Sequence, residues 1–455
     1  MLGDTQVMEG TSLITVQEES AQGLSRCELV LKWVWPRYRL DRLKGARLAI
    51  GRDENATIQL DGAAVSRHHA ELYRQGPLYV LRDLGSTNGT WLGGTSIEHA
   101  PIAPRDVLRV GDWVGVFVEL GSEDGELREL APGVFGGPEV ARLFEPLRRA
   151  AGSKVPVLLV GETGTGKERL ARAVHHFSGR SGPFLALNCA SMPEQLAEGE
   201  LFGYRRGAFT GAERAHPGHF RAAHGGTLFL DEMPDLSPAL QAKLLRIVED
   251  GEVLALGESS SIPVDVRIVS ASQRPLKELV AAKRLREDLA ARLTGLELLL
   301  PTLTERRSDV APLFARFLEQ QTGGRRPDVE ARLVEALCLH DWPQNVRELE
   351  LLTRTLLAVH GHEPRLLRQH LPPAIAALCR ERRSTGGVSA PPRARNDYDL
   401  ARLEGELTRN GGNIKAAAQS LGISRQRIYR LLDAKNTVSS PAKGGIEGSR
   451  NDLGS

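Results

Sequence analysis

A glycine-rich segment constrains the fold of this chain more than any other feature. Gly161-Glu-Thr-Gly-Thr-Gly-Lys167 stands directly after an apolar run, Val155–Val160, and directly before a helical pattern. A phosphate-binding loop requires this order of strand, loop and helix, because glycines let backbone N–H groups turn towards phosphate oxygens at the helix N-terminus. The sequence therefore predicts an α/β domain that binds a nucleotide. The residues expected to bind it are Gly161, Glu162, Thr163, Gly164, Thr165, Gly166, Lys167 and Glu168.

Two carboxylates follow a second apolar strand, about 65 residues after the glycine-rich loop. The strand is the run Thr227–Leu230, and Asp231 and Glu232 come directly after it. The first acid can hold Mg²⁺ beside the nucleotide phosphates, and the second can activate the attacking water. An isolated Asp-Glu pair would usually be a solvated strand end, but its pairing with a phosphate loop makes it specific. We therefore expect ATP and Mg²⁺ as cofactors, with Asp231 as the magnesium ligand.

The pattern of apolar runs divides the chain, whose 455 residues suffice for two to four domains. Short aromatic and β-branched runs between Gly/Asn turns predict a β-sandwich, and alternating helical and apolar runs predict an α/β domain. The predicted fold class is multidomain: a β-sandwich, an α/β P-loop ATPase with a helical lid, and an all-α helix-turn-helix. The expected boundaries are leader 1–27, sandwich 28–121, linker 122–135, α/β subdomain 136–305, lid 306–376, basic linker 377–396, helix-turn-helix 397–436 and disordered tail 437–455.

Composition excludes several classes of protein. No run reaches the ~20 apolar residues of a transmembrane helix, and the N-terminus lacks a signal-peptide pattern. Four scattered cysteines without a C-x-x-C pair argue against a zinc site or disulfides and favour a cytoplasmic location. The net charge of +2 gives by itself no sign of a nucleic-acid partner. However, residues 380–395 and residues 413–435 each carry five basic residues and one acidic residue, a net charge of +4.

A six-residue loop, Gly207–Ala212, has the sequence Gly-Ala-Phe-Thr-Gly-Ala. With this loop and the phosphate loop, residues 136–376 resemble the AAA+ domain of bacterial sigma-54-dependent transcription activators. The resemblance implies that this loop engages sigma-54, with Phe209 and Thr210 at its tip. The phosphate loop of that family commonly ends in Lys-Glu, which accounts for Glu168 where other P-loops have a magnesium-ligating hydroxyl. The expected sigma-54 contacts are Gly207, Ala208, Phe209, Thr210, Gly211 and Ala212.

The resemblance also implies roles for single residues. Asn188 corresponds to the asparagine that holds the catalytic glutamate until the γ-phosphate is sensed. Arg286 and Arg292 stand where the family has arginine fingers, which act on the nucleotide of a neighbouring subunit. Arg347 matches the sensor arginine of the lid, and Gln273 replaces a sensor asparagine, keeping the amide but adding a methylene. Because fingers that act in trans require an oligomer, we expect a homo-oligomer, hexameric when active.

Residues 413–435 have the spacing of a helix-turn-helix. Asn413 and Ser424 can cap its two helices, and Gly422 can make the turn. The second helix is basic and suits the major groove, although spacing alone also fits a small docking module. The stretch resembles the Fis-type motif that closes these activators, which implies enhancer DNA as a partner. The expected DNA-binding residues are Ser424, Arg425, Gln426, Arg427, Tyr429 and Arg430.

Three motifs within residues 28–120 resemble the forkhead-associated (FHA) domain. They are Gly51-Arg52, Ser66-Arg67-His68-His69 and Gly85-Ser-Thr-Asn-Gly-Thr90. FHA domains bind phosphothreonine peptides through loops at one edge, and a dianionic phosphate needs fixed donors. We expect His69 to brace these loops, and self-association is the alternative role of the domain. The expected phosphothreonine-binding residues are Arg52, Ser66, Arg67, Thr87 and Asn88, the last of them at the peptide backbone.

Together these features predict a sigma-54-dependent activator that binds enhancer DNA and hydrolyses ATP to remodel the sigma-54 RNA polymerase holoenzyme. Its FHA domain would bind a phosphothreonine protein or a Ser/Thr kinase. One alternative is an AAA+ ATPase that remodels a different protein target, such as a chaperone or helicase loader, and the loop Gly207–Ala212 argues against it. The other is a non-catalytic DNA-binding adaptor that reads phosphothreonine. Intact Asp231, Glu232, Arg286 and Arg292 argue against that adaptor.

Overall fold

The computed structural model of the chain describes residues 14–15, 28–76, 78–120, 125–209, 212–324 and 327–379. The predicted helix-turn-helix and tail, most of the leader and the basic linker beyond residue 379 lie outside the described residues. Thr210 and Gly211 of the predicted sigma-54 loop do so as well. Within the described part, no helix is long and apolar enough to cross a membrane.

Two mostly antiparallel sheets form the N-terminal β-sandwich. Its core contains Trp33 and Trp113, whose ring centroids lie 5.7 Å apart in an edge-to-face contact. One sheet has the order β10-β7-β6-β4-β5, and the other has the order β3-β2-β12-β11-β8-β9. After a short leader strand, β1 (Ile14–Thr15), the strands are β2 (Leu29–Trp35), β3 (Arg39–Arg42), β4 (Arg47–Gly51), β5 (Ile58–Gln59), β6 (Ala70–Gln75), β7 (Leu78–Asp83), β8 (Thr90–Leu92), β9 (Thr95–Ile97), β10 (His99–Pro101), β11 (Val107–Val110) and β12 (Trp113–Glu119).

A parallel sheet with the order β1-β21-β15-β20-β17-β16 forms the centre of the α/β domain. Its inner strand β15 is apolar and buried throughout, as expected where helices cover both faces of a parallel sheet. The elements are β13 (Arg128–Ala131), β14 (Val134–Gly136), α1 (Pro138–Ala151), β15 (Val157–Val160), α2 (Lys167–Ser178), β16 (Phe184–Asn188), α3 (Glu194–Phe202), α4 (Gly218–Ala222), β17 (Thr227–Asp231), α5 (Pro238–Asp250), β18 (Glu252–Val253), β19 (Ile262–Pro263), β20 (Arg267–Ser272), α6 (Leu276–Ala281), α7 (Glu287–Leu293) and β21 (Leu296–Leu299). Because the strands are parallel, their carboxyl ends share one edge, where ligands bind in such sheets.

The lid packs its helices around Phe314, Leu337 and Trp342, all of which are buried. Its elements are α8 (Val310–Gln321), β22 (Asp328–Val329), α9 (Ala331–Leu339), α10 (Asn345–His360), β23 (Arg365–Leu366) and α11 (Pro373–Ala376). The sequence predicted only helices here, but β22 and β23 form a short parallel pair that ties α8–α9 to the segment after α10. The lid also shares its apolar core with one sheet of the sandwich.

Candidate functional site

The glycine-rich loop connects β15 to α2 and curls around its own lysine. Gly164 and Gly166 have φ angles of +79° and +108°, a conformation that glycine adopts without steric cost. Lys167 opens α2 with only 6% of its surface exposed, and its Nζ donates to the carbonyl oxygen of Gly161 at 2.8 Å. The ammonium is therefore held over the loop, where a phosphate-binding lysine is required.

Two carboxylates meet this lysine from the end of β17. The Nζ atom of Lys167 lies 3.4 Å from Oε1 of Glu232, whose φ of +50° is unusual for a residue with a side chain. Burial raises the pKa of Asp231, and the charge of Lys167 partly opposes that rise. A half-buried acid with a perturbed pKa beside a phosphate-type loop is typical of a functional site.

The amide that contacts Glu232 belongs to Gln273. Its Nε2 donates to Oε1 of Glu232 at 3.0 Å, because β20, which ends one residue before Gln273, lies between β15 and β17. Asn188, predicted from the family resemblance to hold the glutamate, forms a different hydrogen bond. Its Oδ1 accepts from the backbone N–H of Ala190 at 3.0 Å and so caps the turn after β16.

The first turn of α10 rests on the phosphate loop. Asn345 is fully buried, and its Nδ2 donates to the carbonyl oxygen of Thr163 at 3.0 Å. The backbone N–H of Val346 donates to the carbonyl oxygen of Gly164, also at 3.0 Å. This turn places Arg347, the predicted lid sensor, exposed beside the loop. Asn345 was not among the residues predicted from the sequence, because its burial and its contact with the phosphate loop are visible only in the fold.

The predicted arginine fingers form ion pairs with carboxylates of their own chain, and Glu168 forms one with an arginine. Arg286 makes a two-pronged contact with Asp288, at 3.0 and 2.6 Å, and Nε of Arg292 lies 2.8 Å from Oε1 of Glu249. Both arginines are exposed, Arg286 directly before α7 and Arg292 in its last turn. Glu168 forms an exposed ion pair with Arg172, one turn further along α2, at 2.7 Å.

The described part of the predicted sigma-54 loop carries an exposed aromatic ring. The backbone N–H of Gly207 donates to the carbonyl oxygen of Ala212 at 2.8 Å and closes the base of the loop. Phe209 is 44% exposed and meets Tyr204 edge to face at 5.0 Å. The ring of Phe209 is therefore accessible at the surface of the loop.

The predicted phosphothreonine loops converge at one end of the sandwich. The backbone N–H of Arg52 donates to the carbonyl oxygen of Ser66 at 3.0 Å, and the N–H of Thr87 donates to Oγ of Ser66 at 3.1 Å. The chain segments approach closely, since a Cβ on Gly51 would lie 2.0 Å from the carbonyl oxygen of Arg67. The guanidinium groups of Arg52 and Arg67 are exposed, and neither forms an ion pair with another described residue.

Two side chains brace these loops, the buried His69 and the exposed Asn88. His69 is fully buried, its Nδ1 accepts from the N–H of Ser66, and its Nε2 lies 3.3 Å from the carbonyl oxygen of Gly89. Burial lowers the pKa of His69, which favours the neutral ring that these two contacts need. Asn88, expected to contact a peptide backbone, uses its Nδ2 to bond the carbonyl oxygen of Ala64 at 2.9 Å.

Family models match all three described parts of the chain. Residues 134–299 match the sigma-54 interaction domain, residues 48–111 match the FHA domain, and residues 304–386 match the AAA+ ATPase lid domain. The transcriptional regulatory protein ZraR of Salmonella typhimurium is 39% identical over 386 residues, which are 82% of this chain and 86% of that protein. The chain belongs to the sigma-54-dependent transcription activators.

Other proteins are also similar to this activator. The transcriptional regulatory protein GlrR of Escherichia coli is 41% identical over 303 residues, which are 65% of this chain and 66% of GlrR. A solved structure of NtrX from Brucella abortus in complex with ATP is 30% identical over 68% of this chain and 69% of that one, with a TM-score of 0.48. An FHA domain solved in a study of phosphothreonine-dependent FHA interactions is 29% identical over 21% of this chain and 98% of that one, with a TM-score of 0.20.

Membership in the family confirms the predicted fold class for the described residues and the predicted activity. The activator is an AAA+ ATPase that binds ATP, and it promotes sigma-54-dependent transcription under the control of an FHA domain. Neither alternative, the remodeller of another target or the non-catalytic adaptor, is favoured.

Proposed function

We propose that the carboxyl edge of the parallel sheet is the ATPase centre and that each residue gathered there has a separate task. Lys167 contacts the nucleotide phosphates, Asp231 holds the metal ion, and Glu232 activates the attacking water. The observation that supports this proposal is the meeting of Lys167 and Glu232 at 3.4 Å, with the lid resting on the same loop.

Mg²⁺ is the metal that fits Asp231. Magnesium usually binds through one or two carboxylates together with nucleotide phosphates and water, and does not need a cage of protein ligands. The described residues contain no cluster of three or more His, Cys, Asp or Glu side chains that could hold a metal by themselves. A single half-buried acid beside a phosphate loop is therefore a suitable partner for a nucleotide-bound magnesium ion.

The partners follow from the family and from the surface of the chain. The loop Gly207–Ala212 contacts sigma-54 in the polymerase holoenzyme, with the exposed ring of Phe209 at its surface. Residues 413–435 bind enhancer DNA. The exposed Arg52 and Arg67 bind phosphothreonine on a protein or a Ser/Thr kinase. Arg286 acts on the ATP of a neighbouring subunit in a ring, expected to be a hexamer, and the protein works in the cytoplasm.

Two variants separate ATP hydrolysis from the opening of the promoter by sigma-54 polymerase. Asp231→Ala is expected to abolish ATP hydrolysis and to retain enhancer binding in a gel-shift assay. Thr210→Ala is expected to hydrolyse ATP normally and to form no open complexes with sigma-54 polymerase. Open complexes formed by Thr210→Ala at the wild-type level would contradict the assignment of the sigma-54 loop, and hydrolysis by Asp231→Ala would contradict the assignment of the ATPase centre.

A further inference from the structure

In one sheet of the FHA sandwich, the central strands β2, β11 and β12 are buried on both faces. Its inner face contributes to the sandwich core, and its outer face packs on lid helices α8 and α9. An antiparallel sheet at the surface of a domain usually leaves one face in water. Here six residues of the outer face are each at most 5% exposed. These six residues are Lys32, Val34, Val107, Arg109, Val114 and Val116.

A buried ion pair fixes how this outer face sits on α9. Nε of Arg109 lies 2.5 Å from Oε2 of Glu335, and their side chains are 5% and 0% exposed. Removing two charges from water is costly, so a buried pair is weak evidence for stability. Its better supported role is to select one arrangement of the packed elements, since an unpaired charge left in the interior would be strongly unfavourable.

The ion pair is connected to the predicted phosphothreonine loops. The guanidinium of Arg109 lies over the ring of Trp91 at 4.6 Å, and that of Arg332 on α9 lies 5.6 Å from the same ring. Nε1 of Trp91 donates to the carbonyl oxygen of Asn88 at 3.1 Å. A shift of the loop that carries Asn88 therefore moves the ring against which a lid arginine is packed.

The other end of the outer face is connected to the nucleotide loop. β2 packs against the turn Arg307–Asp309 at the start of the lid. Asp309 pairs there with Arg306 at 3.6 Å, and the charge of Lys32 on β2 also acts on its carboxyl. Nη2 of Arg306 donates to the carbonyl oxygen of Thr165 in the phosphate loop at 3.3 Å. Burial raises the pKa of Asp309, and the charges of Arg306 and Lys32 favour its ionised form.

We propose that the outer face of the FHA domain is a coupling surface: binding of a phosphothreonine peptide at the FHA loops changes the affinity of the phosphate loop for nucleotide, through the lid. Coupling between two sites is reciprocal, so nucleotide changes the affinity for the peptide by the same factor. The proposal rests on phosphothreonine binding by this domain, and it assigns the FHA regulation of the ATPase to one contact.

The experiment measures both affinities on the full-length chain. The probes are a fluorescent ADP analogue and a degenerate peptide pool with one fixed phosphothreonine, with the unphosphorylated pool as control. In the wild type, saturating ADP is expected to change the dissociation constant of the phosphorylated pool by about fivefold or more. A saturating amount of the pool is expected to change the dissociation constant of ADP by the same factor. In Arg109→Met/Glu335→Leu, which removes both buried charges at similar volume, the factor is expected to fall below about twofold.

Two further measurements keep the proposal falsifiable. Lys32→Met removes the charge that acts on Asp309, and it provides a second variant in case the double variant folds poorly. It is expected to lower the same factor. Hydrogen exchange of β11 is expected to respond to ADP in the wild type and not in the variants, whether or not the peptide pool binds. Failure of the pool to bind would contradict only the phosphothreonine proposal. The coupling proposal would be overturned if the hydrogen exchange of β11 in the wild type did not change with ADP. It would also be overturned if the coupling factor were unchanged in both variants.

Discussion

Glu232 lies between two strands that each end near an amide side chain, and only one of these amides contacts it. Asn188 is the last residue of β16 on one side, and Gln273 follows β20 on the other. The bond from Gln273 measures 3.0 Å. An asparagine in place of Gln273 would be shorter by about 1.5 Å, which would open the contact beyond hydrogen-bond distance. The extra methylene therefore matters to the geometry of the site.

At the residue scale, we expect Gln273→Asn to lower kcat about tenfold, equivalent to about 1.4 kcal/mol of transition-state stabilisation. Gln273→Met, which keeps the length but has no donor, is expected to lose as much. The nucleotide dissociation constant, measured by fluorescence titration, is expected to change less than kcat in both variants. The matched comparison is Asn188→Ala, and a greater loss of kcat in that variant than in Gln273→Asn would contradict this account.

The sequence predicted the groups of the ATPase site but not all of their contacts. Lys167, Asp231 and Glu232 are recognisable because each belongs to a short motif with a defined strand beside it. The contact between Gln273 and Glu232 depends on the order in which strands pair, and neighbours in that order are far apart in the chain. Nothing near residue 273 in the sequence indicates that β20 lies between β15 and β17.

At the scale of elements, the hairpin of β8 and β9 is the part of the sandwich that touches the end of the lid. Its turn contains Gly94, with φ of +78°, and a Cβ there would lie 2.2 Å from the carbonyl oxygen of Leu378. The docking of this hairpin could not be predicted from its sequence, which is that of an ordinary turn. A signal did exist in β12, Trp113–Glu119, where apolar residues on both faces indicate a sheet covered twice.

We expect Gly94→Ala to lower the thermal unfolding midpoint more than Gly76→Ala does. Both positions have positive φ, which costs a residue with a side chain about 1–2 kcal/mol. A Cβ on Gly76 would meet nothing within 4 Å, whereas one on Gly94 would collide with backbone, and such overpacking adds about 1–3 kcal/mol. Scanning calorimetry of the two full-length variants measures the difference. Equal decreases in the unfolding midpoint of the two variants would show that the hairpin does not contact the lid in solution.

At the scale of the whole molecule, the exposed side of α7 is suited to a neighbouring subunit. Arg286 and Arg292 form surface ion pairs, which contribute little energy and exchange partners readily. In the proposed ring these arginines leave Asp288 and Glu249 for the phosphates of the next subunit. Head-to-tail contacts of this kind close into rings and divide one active site between two copies of the chain.

A mixing experiment tests this division. Lys167→Ala subunits and Arg286→Ala/Arg292→Ala subunits are each expected to be inactive alone. Mixed in equal amounts, they regain ATPase activity, because about one interface in four in a random head-to-tail ring joins an intact nucleotide site to intact fingers. Steady-state hydrolysis measured against the total number of subunits gives the result. A mixture no more active than its separate components would show that the arginines do not act across the interface.

The doubly covered FHA sheet also limits how this sensor can be transplanted. If residues 28–120 were cut out and fused to another protein, Val34, Val107, Val114 and Val116 would form a contiguous apolar patch on the fragment, with Arg109 among them. Patches of that kind promote aggregation unless a partner covers them. An exchangeable cassette made from this sensor therefore has to include helices α8 and α9, or carry polar replacements for these valines.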